Sequence, residues 1–171
     1  MTMNKYEQIL KLFVETKKTT YTYNFQRRPF SYNNLVLATN GYVMVFFDKE
    51  QIDSEVAEID LKVCKGLPKV LAFENTHNFV FSTKKLEESL QKCVGSSKIH
   101  NSDDDAIIQI LEGRFSQIWL NKLLKVAKIL SEKEITLIHQ TTPNKMSVFK
   151  ISDVQILIMP NRNGTMKDTI Q

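Results

Sequence analysis

Apolar side chains recur with the spacing of an α-helix in three segments of the chain. The first segment has apolar residues at positions i, i+3, i+4 and i+7, which predicts a helix ending near residues 17–18: Tyr6, Ile9, Leu10 and Phe13. A stronger amphipathic segment covers residues 117–130. Ser82 is a typical helix N-cap and Gly95 a typical stop, so a shorter helix is predicted between them.

The remaining apolar residues form short β-type runs separated by turn residues. Asn40-Gly41 lies between two such runs and predicts a β-hairpin over residues 35–47, because both residues tolerate positive φ. Further strands are predicted at residues 19–25, 59–63, 70–73, 78–81, 106–111, 134–139, 146–151 and 154–159. Residues 95–105 are the clearest loop, and the polar residues after Pro160 are expected to fray. These elements predict an α+β fold.

The two ends of the chain follow the same order of elements: helix, strand, turn, strand, tight turn, strand. An offset of 113 residues aligns residues 39–40 and 43–46 with 152–153 and 156–159, and an offset of about 114 aligns the two strong helices. Identity between the ends is low, so the match is either an internal duplication or a coincidence between two common helix–hairpin units. A duplication predicts one domain with halves at about 1–66 and 106–162, an enlarged middle at about 67–105 and a polar tail at 163–171.

Length and composition narrow the class of protein. A chain of 171 residues fits one domain, or at most two small ones. A composition of 42% hydrophobic and 25% charged residues excludes a disordered acidic protein, a collagen and a disulfide scaffold. The longest apolar runs, residues 43–47 and 156–160, are far shorter than the roughly 20 residues of a transmembrane helix. With no apparent secretory signal and with two cysteines far apart, Cys64 and Cys93, we expect a cytoplasmic protein with reduced thiols and no membrane contact.

Motifs for catalysis or cofactor binding are absent from the sequence. The three histidines, His77, His100 and His139, lack metal-ligand spacing, and no phosphate-binding glycine loop or nucleophile motif occurs. Asp103-Asp104-Asp105 does not have the alternating ligands of a calcium loop and is interpreted as a solvated charge run. We therefore expect no enzyme activity, no metal and no cofactor.

The excess positive charge has a local origin. The net charge of +4 comes with 19 lysines and only 4 arginines. Lys122, Lys125 and Lys128 lie opposite the apolar side of the helix at 117–130, and no acidic residue interrupts that helix. Such a face is either a sequence-independent contact for a phosphate backbone or simply a solvated surface.

Two further features are weaker candidates for contact with nucleic acid. The first helix offers Lys11 and Lys18, although acidic residues share its polar side. Tyr21, Tyr23 and Phe25 alternate along a predicted strand and either stack on bases or, as we favour, face the core.

The C-terminal part of the sequence resembles the last half-domain of the bacterial DNA sliding clamp, the β subunit of the replicative polymerase. In that family an LxxLLxA-type helix is followed by strands, the last of which ends in a Met-Pro-Met-Arg-type sequence. Here the helix reads LNKLLKVA (residues 120–127) and the ending reads ILIMPNR (156–162), with Asn161 where the family has an apolar residue. ATNGY at residues 38–42 is similar to another turn of the family. Bacterial clamps have three such domains per chain, whereas this chain has room for one.

The resemblance implies a DNA-clamp-like fold, a duplicated helix-plus-strands unit with helices packed on one face of two antiparallel sheets. It implies that Lys122, Lys125 and Lys128, with Lys11 and Lys18, face duplex DNA without regard to its sequence. It also implies that Met159, Pro160 and Arg162 border a pocket for peptides of polymerases or repair proteins. Which of the helices near 83–94 and 117–130 is the second clamp helix stays open.

These implications predict a non-enzymatic sliding-clamp-like accessory protein of DNA replication, of phage or mobile-element type. A homo-oligomer is expected as one option, since about six copies of a single domain would close a ring of the family's size. The alternative is a protein–protein interaction module on an α+β scaffold that does not bind nucleic acid. A small enzyme without a recognisable motif is a third hypothesis.

Overall fold

The computed structural model describes residues 3–15, 24–96 and 103–171. These residues form four α-helices: α1 (Lys5–Phe13), α2 (Leu67–Leu71), α3 (Thr83–Gln91) and α4 (Gln117–Ile129). They also form ten strands: β1 (Phe30–Tyr32), β2 (Leu35–Thr39), β3 (Val43–Asp48), β4 (Phe79–Ser82), β5 (Ala106–Ile110), β6 (Gly113–Ser116), β7 (Glu134–His139), β8 (Ser147–Ile151), β9 (Val154–Ile158) and β10 (Thr165–Ile170).

The strands form two sheets of unequal size. The large sheet has the order β1-β2-β3-β9-β8-β7-β4, and all its pairs are antiparallel. The small sheet has the order β10-β5-β6, and β10 runs parallel to β5. The prediction of two antiparallel sheets is therefore wrong for the β10–β5 pair. Strand β10 adds to the free edge of β5 and runs in the same direction as β5.

Strands β3 and β9 pair at the centre of the large sheet, and each is the last strand of a helix–strand–strand–strand series. The register is symmetric about the pair Met44 and Leu157, whose numbers differ by the offset of 113. The flanking pairs are Val43 with Ile158 and Val45 with Ile156. A duplicated unit paired with itself would have this local twofold symmetry. The division of the chain into two halves stays a prediction.

The two hairpin turns do not fall at the positions that the sequence alignment pairs. Thr39 lies opposite Met44, whereas the second hairpin continues to Ile151 opposite Val154 and turns at residues 152–153. In the first hairpin the Asn40 N–H donates to the Val43 carbonyl at 3.3 Å, so its turn is at residues 41–42. The structure therefore places residues 41–42, and not 39–40, as the counterpart of 152–153 in the turn.

Three helices lie together against the inner faces of the sheets. Helix α4 packs between α1 and α3. Each helix begins at a polar cap whose side chain accepts a backbone N–H, at 2.7 Å for Asn4, 3.0 Å for Ser82 and 3.2 Å for Ser116. The backbone becomes extended at Val14, so α1 ends before the predicted residues 17–18. Both helices named as the second clamp helix thus belong to the same layer.

The segment between β3 and β4 covers the outer face of the large sheet. Leu37 and Phe46 pack there against Leu67 of α2, and a neighbouring cluster joins Leu157 to Phe73. The sheet is therefore buried on both faces over β2, β3 and β9, which explains why these strands read as nearly continuous apolar runs.

This covering segment corrects two predicted strands. Residues 61–63 form a turn, and residues 67–71 form α2, which Pro68 can begin because the first helical positions need no backbone N–H donor. The strand predicted at 19–25 is wrong at its end, where Asn24–Gln26 form a 3-10 helix. Lys18, Tyr21 and Tyr23 lie outside the described residues, while Phe25 packs edge-on against Phe30 at 6.0 Å between ring centroids.

The C-terminal tail and the aspartate run also differ from expectation. Residues 165–170 form β10 instead of fraying, and Ile170 is buried. Asp103 and Asp104 are exposed, but Asp105 is 0% exposed at the start of β5. Gly164, at φ +113, allows the close approach of the two segments, since a Cβ there would lie 2.7 Å from the Asp105 carbonyl oxygen.

Candidate nucleic-acid and peptide interfaces

The three lysines of α4 have different surroundings, although they share one side of the helix. Lys122 is half-buried, and its Nζ donates to the carbonyl of Leu12 at the end of α1 and lies 5.9 Å from the centre of the Phe13 ring. Burial, followed by the charge of Lys125, lowers the pKa of Lys122. Lys122 therefore connects α4 to α1, and its ammonium group already donates a hydrogen bond within the protein.

Lys125 and Lys128 are both exposed, but Lys128 has an acidic neighbour. Its Nζ lies 3.5 Å from a carboxylate oxygen of Glu87 on α3, and both side chains are more than half exposed. Helix α4 has no acidic residue of its own, but Glu87 of the neighbouring α3 brings a negative charge to its surface. The sequence of α4 could not show this contact, because Glu87 lies 41 residues away.

Two lysines at α3 have an acidic neighbour on strand β10. Lys85 and Lys92 lie 3.9 Å and 3.1 Å from the carboxylate of Asp168 on β10. The Ser89 hydroxyl donates to the same carboxylate at 2.6 Å and, together with Lys92, holds the pKa of Asp168 at about 2. The strand that was expected to fray therefore offers one carboxylate to two lysines, Lys85 of α3 and Lys92 at its C-cap.

Helix α1 has a mixed surface. Lys11 is exposed, as the sequence predicts, but Glu7 on the same helix accepts a hydrogen bond from Ser54. Beside α1, an open hollow of about 350 Å³ on α4 is lined by Gln117, Ile118, Asn121, Lys122 and Lys125. Among the predicted DNA-facing lysines that the structure describes, Lys11 and Lys125 are the ones exposed without an acidic partner in the described part of the chain.

The predicted peptide-pocket segment follows β9. Met159 is 38% exposed and Arg162 is exposed, whereas Pro160 is half-buried. The Met159 N–H donates to the carbonyl of Tyr42 at 2.9 Å. The segment is thereby joined to the turn of the β2–β3 hairpin.

Two aromatic residues extend this surface. Tyr42 is 48% exposed, and its ring stacks on Trp119 with centroids 5.6 Å apart and planes 16° apart. Trp119 itself is buried. We call Tyr42 and Met159 the Tyr42–Met159 patch. Sequence reasoning missed Tyr42, because only the β3–β9 pairing brings the first hairpin to the C-terminal segment.

Asn161 holds the segment in place from below. It is 3% exposed, its Nδ2 donates to Asp105 Oδ2 at 2.8 Å, and its backbone N–H donates to the Arg114 carbonyl at 2.8 Å. The clamp-family motif has an apolar residue at this position. Here the position is taken by an amide that pairs with the buried carboxylate of Asp105.

The histidine and cysteine side chains that the structure describes are candidates, by residue type, for metal binding or chemistry. His139 is mostly buried, with Nδ1 2.6 Å from the Glu74 carbonyl, and burial raises the pKa of the Cys64 and Cys93 thiols. His100 lies outside the described residues. Within residues 3–15, 24–96 and 103–171 no cluster of three metal-ligating side chains occurs, and no helix there is long and apolar enough to cross a membrane.

Comparison with known proteins gives no sequence match but clear structural matches. No family model and no curated protein matches the sequence. The DNA polymerase III β subunit of Pseudomonas aeruginosa matches with a TM-score of 0.58 at 12% identity, over 94% of this chain and 65% of that one. The Helicobacter pylori β clamp bound to a DNA ligase peptide matches with a TM-score of 0.54 at 12% identity, over 91% and 62%.

A third match is a DNA polymerase III β subunit from Eubacterium rectale, with a TM-score of 0.55 at 12% identity, over 95% of this chain and 64% of that one. The chain thus spans less than two thirds of the length of these proteins. It has a sliding-clamp-like α+β fold, as the residues at 120–127 and 156–162 predict.

Proposed function

We propose that the chain is a non-enzymatic, clamp-like accessory protein that contacts the backbone of duplex DNA through α4 and α1. The observation that carries the proposal is the exposed Lys125 on a helix without acidic residues, in the helix layer of a sliding-clamp-like fold. Phosphate contacts by lysine are independent of base sequence and weaken as salt rises.

The charge distribution limits the strength of this contact. Lys128 is paired with Glu87 and Lys122 with the Leu12 carbonyl, so few lysines are free to displace counterions. We expect weak binding at low salt that is lost at physiological salt.

Fluorescence anisotropy with a labelled duplex tests this function. Lys125→Glu is expected to abolish the binding seen at low salt, because it removes a phosphate contact and adds a repelling charge. Lys62→Glu is the matched control, since Lys62 is exposed on the segment that covers the opposite face of the large sheet. Absence of binding by the unmodified protein at low salt, or equal losses in both variants, would contradict the proposal.

A second function, peptide binding, is favoured by the Tyr42–Met159 patch. This is the alternative of a protein–protein interaction module, and it does not need DNA. The patch places two exposed apolar side chains next to the segment that corresponds to the pocket border in the clamp family, Met159, Pro160 and Arg162.

The DNA ligase peptide bound by the H. pylori clamp is a suitable probe for the patch. We expect Met159→Glu to abolish binding of this peptide in a surface-plasmon-resonance assay. Met166→Glu is the control, because Met166 has the same 38% exposure but lies on β10. Binding that Met159→Glu leaves unchanged would refute the role of the patch.

Assembly into a homo-oligomer, a cytoplasmic location and a phage or mobile-element origin stay predictions. For assembly, sedimentation equilibrium is the direct measurement. A ring requires a mass several times the 19.8 kDa of one chain.

A further inference from the structure

The outer strands of the two sheets differ in how their free edges are protected. At β1, Ser31 donates to the Ala57 carbonyl and accepts from the Ile59 N–H, both at 2.9 Å, so another segment covers this edge. At β6, the Arg114 carbonyl accepts the Asn161 N–H. These two edges are occupied by backbone from the same chain.

Strand β10 is protected by its own irregularity. Its register with β5 shifts between Met166 and Asp168, and Lys167 and Asp168 place charges along it. A bulge and charged side chains are common means by which proteins keep an edge strand from pairing with another chain.

Strand β4 has none of these protections. Its sequence, FVFS, contains no proline or charged residue, and its ladder with β7 runs from Phe79 to Ser82 without a shift. Val80 is 46% exposed. In the described part of the chain, no backbone hydrogen bond to another segment covers the outer edge of β4.

The hydrogen-bond alternation identifies the backbone groups that face outward. Thr83 donates to the Lys133 carbonyl at 2.9 Å, so positions 81 and 79, two and four residues earlier, also bond to β7. The Ser82 carbonyl stands at the N-cap of α3 and accepts the first backbone hydrogen bond of that helix. The backbone groups that point away from β7 are therefore the N–H and C=O of Val80 and the N–H of Ser82. They are available to an added strand.

A polar groove lies beside this edge on the outer face of the sheet. It has a volume of about 540 Å³, and its charged lining residues are Glu132, Glu134 and Lys150. Neither glutamate forms an ion pair with a described residue. Val80 lies opposite Thr136, which also lines the groove, so an added strand would project alternate side chains over it.

We propose that the edge of β4 binds an extended peptide segment of a partner protein, which adds to the large sheet as an eighth strand. The peptide residue beside Val80 is apolar, and the residue two positions away is basic and reaches Glu132 and Glu134. Main-chain hydrogen bonds supply affinity in this mode of recognition, and alternate side chains supply specificity.

A second copy of the chain fits the edge less well than a peptide. Four residues of strand pairing fall far short of the roughly 800 Å² per partner that a stable interface buries. A β4–β4 pair also presents no basic side chain from β4 itself to the two glutamates, because that strand is uncharged.

Titration with designed peptides, followed by heteronuclear NMR on the full chain, tests the proposal. The probe is an octapeptide with the repeat Val-Thr-Lys-Thr, which places valine and lysine two positions apart on the same face of the added strand. Its controls are the same sequence with glutamate for lysine, and the lysine peptide with N-methylated backbone amides. We expect the first to shift the amide signals of Val80 and Ser82, and both controls to bind at least about tenfold more weakly.

Val80→Pro is the informative variant, because it removes an outward N–H without removing a bond to β7. It should weaken binding of the lysine peptide at least about tenfold, whereas Val80→Thr should preserve it, and Glu132→Gln with Glu134→Gln should lower the preference over the glutamate peptide. If Val80→Pro unfolds the chain, the N-methylated peptide makes the same test on the unmodified protein.

Three results would overturn the proposal. One is the absence of shifts at β4 with the lysine peptide, and another is equal binding of the N-methylated form. The third is a concentration-dependent dimer in sedimentation that Val80→Pro abolishes without peptide, which would assign the edge to a second copy.

Discussion

Strands β9 and β10 are separated only by residues 159–164, yet different forces hold them. In β9 four of the five side chains are buried, and the strand lies at the centre of the large sheet between β3 and β8. In β10 only Ile170 is buried, and the strand lies at the edge of the small sheet. Polar contacts with α3 and with Asp105 hold β10 in place: Asp168 with Ser89 and Lys92, and the Thr165 N–H with the Asp105 carbonyl.

This contrast separates two sources of stability. The burial of β9 follows from a run of apolar residues in its own sequence. This burial contributes to the free energy of unfolding through the hydrophobic effect. The position of β10 depends on its backbone pairing with β5 and on a few polar side chains that meet only in the folded chain. Mutations in the two strands should therefore differ in size and in their dependence on pH.

The largest expected effect is a truncation in β9. Ile156 is fully buried between β3 and β8, and Ile156→Ala should lower the free energy of unfolding by about 2–5 kcal/mol through lost burial and a cavity. Met166→Ala in β10 should change it by less than about 0.5 kcal/mol, because Met166 is on the surface. Urea denaturation measures both, and similar losses would remove the contrast between the strands.

The anchor between the strands should give the next largest effect. Asn161→Ala removes the amide that bonds Asp105, leaving a fully buried carboxylate whose other oxygen, Oδ1, already has no hydrogen-bond partner. The expected loss is about 2–3 kcal/mol. The same substitution in an Asp105→Asn background should cost less, since the charge is gone. Additive losses in this double-mutant cycle would show that the hydrogen bond between Asn161 and Asp105 contributes nothing.

The contacts of Asp168 predict a pH dependence confined to β10. Its pKa in the folded chain is about 2, below the ordinary value of 3.8, so its contribution is complete above about pH 4 and disappears as the pH falls through 2. Asp168→Asn should lower the free energy of unfolding by about 1–2 kcal/mol at neutral pH and by almost nothing near pH 2. Asp104→Asn, which alters the same charge on an exposed residue, is the control. A difference that does not shrink with acid would rule out Asp168 as the titrating group.

The elements that the sequence predicts correctly are those determined by the spacing of nearby residues. The helix at 117–130, the hairpin at 35–47 and the strands at 134–139 and 154–159 follow from apolar spacing and turn residues, and the structure confirms them within a residue or two. The α+β fold with a sliding-clamp-like arrangement follows from short motifs at 120–127 and 156–162.

The errors come from contacts between distant residues. The strand β10 is polar, so its sequence resembles a tail until Asp168 meets Ser89. Residues 70–73 have β-type side chains, but Val70 and Phe73 pack on the outer face of the large sheet. A segment on the face of a sheet does not pair with its strands, so this segment does not form the predicted strand. The lysine face of α4 is correctly placed on one side of the helix, yet its charge depends on Glu87 and Leu12, which no pattern within α4 reveals.

The smallest expected effect concerns that ion pair, and it links the stability contrast to the proposed DNA contact. Glu87 and Lys128 are exposed, so Glu87→Gln should change the free energy of unfolding by less than about 0.5 kcal/mol. The same change frees Lys128 for a phosphate and should strengthen duplex binding at low salt by up to about fivefold. Glu88→Gln, the adjacent exposed glutamate, removes an equal charge without releasing Lys128 and should have a smaller effect in the same anisotropy assay. Equal gains in the two variants would mean that net charge, and not the pairing of Lys128, governs the interaction.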